Sequence, residues 1–224
     1  MHVALSHIDT WIFDLDLTLY GPEANIMSQV RERIALFVER HFNISPEEAH
    51  KIRHSYWKRY GTTLGGLMAE HEVDAHSYLD FVHDVDMGLL HPAGSLRRQI
   101  AALPGRKLIF TNADAPYAER VLAARGLSDL FEDIFDIHRM QHVPKPSAAS
   151  YDALCSELAI NPARALFVED SAHNLAPAKA LGMTTIWVNH GTEDDSGVIQ
   201  QYIDYEIADL NDWLSSIRIN ESTT

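Results

Sequence analysis

Residues 11–20 read WIFDLDLTLY, an apolar run broken by two carboxylates one residue apart and then by a threonine. Trp11-Ile12-Phe13 has the composition of a buried strand. Asp14 and Asp16 fall where such a strand ends, which raises the question of why charge stands at the edge of a core.

Working outward, similar short runs recur. TWIFDLD (10–16), KLIFTN (107–112), DIFDI (133–137), ALFVED (165–170), TTIWVN (184–189) and the weaker YEIADL (205–210) read as strands. Between them YAERVLAARGL, SAASYDALCSELAI, NLAPAKALGM and LNDWLSSI have helical spacing, with Gly126 and Gly182 closing two of them. Strand and helix in alternation predict a doubly wound, Rossmann-like α/β core around a parallel sheet. One interval breaks the rhythm: about ninety residues without a convincing strand separate the first two strands, too many for a single crossover helix. There Ile26, Val30, Ile34, Val38 and Phe42 recur every fourth residue, and Ser45 with Glu48 forms a capping box ahead of SPEEAHKIRHSYWKRY. The expectation is a core of residues 1–20 and 91–224 carrying an all-helical insertion, residues 21–90.

Composition narrows the function. The 224 residues are 46% hydrophobic and 22% charged, so a sizeable core is expected and disorder only at the tail, Asn220 to Thr224. A formal net charge of -14 argues against a nucleic acid polymer as partner, because no basic stripe is available to replace phosphate counterions. MHVALSHIDTW does not resemble a signal peptide and no apolar run approaches the ~20 residues of a membrane span, so a cytoplasmic protein that does not engage a membrane is expected. Cys155, the single cysteine, lies in a helical stretch and reads as an inert thiol in a reducing compartment. His50 and His54 lie four apart on a predicted helix, but zinc sites normally supply a third protein ligand and none is evident nearby.

In open α/β sheets ligands bind beyond the carboxyl ends of the strands. Asp14 and Asp16 end the first predicted strand, Thr111 and Asn112 the second, Glu169 and Asp170 a later one, and Lys145 stands in a loop before the helix beginning near Ser147. Each has an ordinary explanation by itself: Asp-x-Asp in a solvated turn, Thr-Asn as a cap, Glu-Asp opening a helix, Lys145 on the surface. Four segments delivering polar groups to one rim in sequence order point to a site.

DLDLT, FTNAD, Lys145 and VEDSAHN resemble, in order, the four motifs of the haloacid dehalogenase (HAD) superfamily, over Trp11 to about Asn189. The helical insertion is similar to that family's type 1 cap. Within the superfamily, GTTLGGL (61–67), YLDFVHDVD (78–86) and RKLIFTNAD (106–114) look most like the pyrimidine 5'-nucleotidase branch. The resemblance implies a Mg²⁺-dependent phosphomonoester hydrolase working through an aspartyl phosphate, with Asp14 the nucleophile and Asp16 the general acid and then base. It implies metal binding by Asp14, the carbonyl of Asp16 and Asp170, with Glu169 ligating weakly or orienting water. Lys145, Thr111 and backbone amides near Asn112 would hold the phosphoryl oxygens. Tyr20, Tyr60, Thr63 and Asp114 are candidates for touching the leaving group. Relatives often carry Asn after the second aspartate, where this chain has Leu17.

The superfamily's dehalogenases lack an acid at the position of Asp16, since halide leaves without a proton. Asp16 therefore favours phosphoryl chemistry on a small phosphorylated metabolite such as UMP or CMP, by a monomer or homodimer. A sugar phosphate or phosphoglycolate phosphatase, a phosphomutase, or a silent phosphate-metabolite binding protein remain the alternatives. TLGGLM reads either as a flexible or tightly approached segment over the site or as an interhelical turn.

Overall fold

A computed structural model describes residues 5–191 and 199–217; the tail Asn220–Thr224 and the first four residues lie outside them. Six strands form one all-parallel sheet: β1 (Thr10–Phe13), β2 (Arg106–Phe110), β3 (Asp133–Phe135), β4 (Ala165–Glu169), β5 (Thr184–Val188) and β6 (Tyr205–Ile207), in the order β3-β2-β1-β4-β5-β6. All six expected strands are present.

Side chains alternate between the two faces of a strand, so a strand buried on both sides needs apolar residues throughout. Here Trp11, Phe13, Ile109, Leu166 and Val168 enter one core, and Ile12, Leu108, Phe110 and Phe167 enter the other. Helices α5 (Gly94–Ala101), α6 (Ala115–Arg125) and α9 (Leu210–Ser216) cover the first face; α7 (Ala148–Glu157) and α8 (Ala172–Ala180) cover the second. Gly126 caps α6 at φ +70°, a conformation that costs a side-chain-bearing residue more.

Strand β1 stops at Phe13, three residues short of the expected end. The Asp14 amide still bonds the Val168 carbonyl at 2.9 Å, and the chain then turns, with Leu17 at φ +57°. Both carboxylates therefore sit in the turn beyond the strand.

Between β1 and β2 lie α1 (Ile26–Phe42), α2 (Pro46–Tyr60), α3 (Thr63–His71) and α4 (Ala75–Val82), packed on one another. Ser45 and Glu48 complete the capping box of α2 reciprocally. We propose that this unit, with its linkers spanning 21–90, is the cap. TLGGLM is not an interhelical turn but the body of α3, whose N-cap is Thr62, and it is tightly approached by α2. Glycine is a poor helix former, yet a Cβ on Gly66 would stand 2.2 Å from the Tyr56 ring, so close approach of α2 and α3 requires its absence.

Gly66→Ala is therefore expected to destabilise the protein by about 1–3 kcal/mol despite its better helix propensity. A thermal melt against wild type measures this, and an unchanged or raised Tm would contradict the packing.

Candidate active site

The strand order reverses between β1 and β4, where a crevice opens at the carboxyl ends of the strands. The turn after β1 brings Asp14 and Asp16 there, β4 brings Glu169 and Asp170, and β2 brings Thr111 and Asn112. Lys145, on the loop before α7, reaches in from the second face.

The Lys145 ammonium is 1% exposed and donates all three protons: to Asp14 Oδ1 at 2.7 Å, to Glu169 Oε2 at 2.6 Å and to the Phe110 carbonyl at 2.8 Å. The rings of Phe110 and Phe167 flank it at 5.1 and 5.2 Å. The Asn112 side chain clamps the Lys145 backbone, its Nδ2 donating to the carbonyl at 3.2 Å and its Oδ1 accepting from the amide at 2.9 Å. Asn112 thus positions Lys145. The buried Thr111 hydroxyl accepts from the Ala113 amide at 3.0 Å, which leaves its own proton for an acceptor in the crevice.

Burial, then the charge of Glu169, pushes Asp14 up to about 8 against the pull of Lys145. The same two causes push Asp170 up to about 10. Burial lowers Lys145, but the charges of Asp14 and Glu169 outweigh it and hold the amine above its ordinary range. One ammonium faces an excess of carboxylates, and the surplus negative charge keeps protons bound.

Asp16 Oδ1 accepts from the Tyr117 hydroxyl at 2.7 Å and from the Tyr20 hydroxyl. Burial raises Asp16, and these two phenols oppose the rise. No described side chain bonds its Oδ2, so that oxygen is available to a ligand. Tyr117 stacks on His83 with ring centres 4.3 Å apart, and His83 Nδ1 meets Asp114 Oδ1 at 2.5 Å. Burial would raise Asp114, but His83 holds it below the ordinary carboxylate range.

Of the four leaving-group candidates, Thr63 alone lines the cavity of about 470 Å³ that opens beside Asn112 under the α1–α4 helices. The Tyr60 hydroxyl donates to Glu70 at 2.6 Å, Asp114 is engaged by His83, and Tyr20 bonds Asp16. Sequence reasoning missed Tyr117 and His83, which lie within runs read as helical. It also missed His190, which stands 2.6 Å from the Leu17 carbonyl.

A metal is the natural complement to this charge. Oxygens of Asp14, Glu169 and Asp170 lie within 4.8 Å of one another, the one such group among the described residues. Hard carboxylate donors suit Mg²⁺. Both Glu169 oxygens already have donors, Lys145 Nζ on Oε2 and the Ser171 amide on Oε1, which leaves Asp14 and Asp170 the better placed pair.

The model of the haloacid dehalogenase-like hydrolases matches residues 8–182. The chain belongs to this hydrolase family. It is 25% identical over 189 residues to Phosphate metabolism protein 8 of Saccharomyces cerevisiae, covering 77% of this chain but 59% of the yeast protein. Its fold is similar to YfnB of Bacillus subtilis, whose structure is described with bound magnesium and interdomain movement (TM-score 0.61, 19% identity, 95% and 99% of the two chains covered). It is also similar to a predicted phosphoglycolate phosphatase of Haemophilus somnus 129pt (TM-score 0.64, 19% identity, 93% and 97% covered).

Two outcomes follow for this haloacid dehalogenase-like hydrolase. Folded Asp14 holds a proton up to about 8 that the unfolded chain releases near 3.8, so stability is greatest below the lower value and falls as pH rises between them. Metal-free protein should lose Tm over this window, and added Mg²⁺ should flatten the loss; a metal-free Tm that climbs with pH would refute it. Lys145→Met strands two buried carboxylates and is expected to destabilise the protein by about 3–5 kcal/mol, read by denaturant unfolding at neutral pH.

Proposed function

We propose that this chain is a Mg²⁺-dependent phosphomonoesterase that releases phosphate from pyrimidine nucleoside 5'-monophosphates of the UMP and CMP type. What carries the reaction type is Asp14, paired with buried Lys145 on a rigid rim, and Asp16 two residues on with one carboxylate oxygen uncommitted. What supports the substrate is the convergence of the three sequence strings similar to pyrimidine nucleotidases. Gly61 to Leu64, then Tyr78, Leu79, Val82 and His83, then Asn112 line one cavity beside the rim.

The steps are those these residues can perform. Asp14 attacks phosphorus as the ester P–O bond breaks, giving an aspartyl phosphate. Asp16, its Oδ1 fixed by Tyr20 and Tyr117, delivers a proton from the free oxygen to the departing alkoxide. It then takes a proton from the water that attacks the aspartyl phosphate, which releases phosphate and restores Asp14. Lys145 lowers the proton affinity of Asp14, as the metal would when bound, and exchanges one of its three bonds for a phosphoryl oxygen. Thr111 donates its free proton to a second oxygen. Asp14, the Asp16 carbonyl and Asp170 would hold the Mg²⁺, which when bound neutralises charge on the transferring group.

A phosphate-release screen of nucleotides, sugar phosphates and phosphoglycolate decides the substrate, with UMP and CMP expected to lead. Inactivity on every nucleotide would sink that assignment. Asp14→Asn, or chelation of Mg²⁺, should cut the rate at least about a thousandfold.

A further inference from the structure

The cavity has two unlike walls. One is apolar, from Val30, Ile34, Leu64, Leu79 and Val82. The other is a stripe of α2, His50, Arg53, His54 and Trp57, whose spacing of three, four and seven places them on one helix face. The histidine pair noted in the sequence therefore belongs to the cavity wall.

Arg53 stands apart from the other half-buried arginines. Arg33, Arg97, Arg106 and Arg139 bond carboxylates, and Arg125 bonds the carbonyls of Leu19 and His91. Arg53 makes no hydrogen bond or ion pair among the described residues, and its buried Nε has no partner. The groups that act on its charge are the Tyr78 phenol and a second cation, Arg31. A half-buried guanidinium without an acceptor is costly, and among the described residues no carboxylate stands beside it. A donor-rich group left open in a substrate-sized cavity requires an acceptor from the ligand.

We propose that Arg53 is the specificity-determining residue for the base, donating to the C2 carbonyl of a pyrimidine seated in this cavity; this rests on the nucleotidase assignment above. Base chemistry narrows the choice. Guanidinium only donates. Uracil and cytosine differ at position 4, carbonyl against amine, and at N3, donor against acceptor, but share the carbonyl at C2. A donor that accepts both bases must therefore read C2, and adenine has no carbonyl to offer it. The apolar wall takes the face of the ring.

The test compares wild type, Arg53→Gln and Arg53→Lys on UMP, CMP, AMP and ribose 5-phosphate, which has no base. Arg53→Gln should raise KM for UMP and CMP about 10- to 100-fold, the loss of a charge-assisted hydrogen bond, with kcat within about twofold. Arg53→Lys should recover part of the loss. Hydrolysis of ribose 5-phosphate should not change, which also reports intact folding. An unchanged KM for UMP overturns the assignment, and so does an equal loss on ribose 5-phosphate, which would make Arg53 structural or phosphate-directed. If wild type hydrolyses no nucleotide, the nucleotidase assignment itself falls, an outcome distinct from both.

Discussion

A lysine ammonium locked between two carboxylates in a dry pocket organises the rim of this sheet. Lys145 and Glu169 are each 1% exposed at the side chain and Asp14 8%, so their desolvation is costly unless every bond is made. That condition constrains the topology. β1 must lie beside β4 to bring Asp14 to Glu169, and β2 must lie on its other side to offer the Phe110 carbonyl. The clamp from Asn112 and the two phenylalanine rings hold the amine in place without adding a competing charge.

Much of this was legible in the chain because strand ends announce themselves. Short β-branched and aromatic runs located all six strands, and the polar residues just after them located the rim. The pairings were not legible. Nothing local says that Lys145 commits all its protons, since its partners lie 131, 35 and 24 residues away. Tyr117 reads as a helix residue, and only the packing of α6 turns its hydroxyl to Asp16. In TLGGLM the glycine pair admits a turn or a close approach, and only the packing shows that Gly66 serves the second, against the Tyr56 ring. Helix α5 went unread between His91 and Leu103, although Leu96, Ile100 and Leu103 recur at helical spacing.

The departure at Leu17 has a physical explanation. This position is left-handed, φ +57°, where asparagine is tolerated better than leucine. Leucine is retained with its side chain against the first core and its carbonyl beside His190. Charge has a similar local logic. A protein of net charge -14 repels anions at long range, yet Lys145 beneath the rim and Arg53 in the cavity wall offer cations where an anion and its organic group would lie.

The corner where α4 returns to the sheet is built differently from the corner where α1 leaves it. His83 is bonded to Asp114, stacked on Tyr117 and held through its carbonyl by Arg120 at 2.6 Å. The departing linker, residues 21–25, closes its backbone bonds locally. The helical unit is thus held by polar bonds at one end and by apolar burial at the other, where Ile26 and Val30 of α1 enter the first core. Tyr117 serves the corner and the acid together, its ring stacked on His83 and its hydroxyl bonded to Asp16, so one side chain sets both where the helical unit meets the sheet and how the acid is aimed.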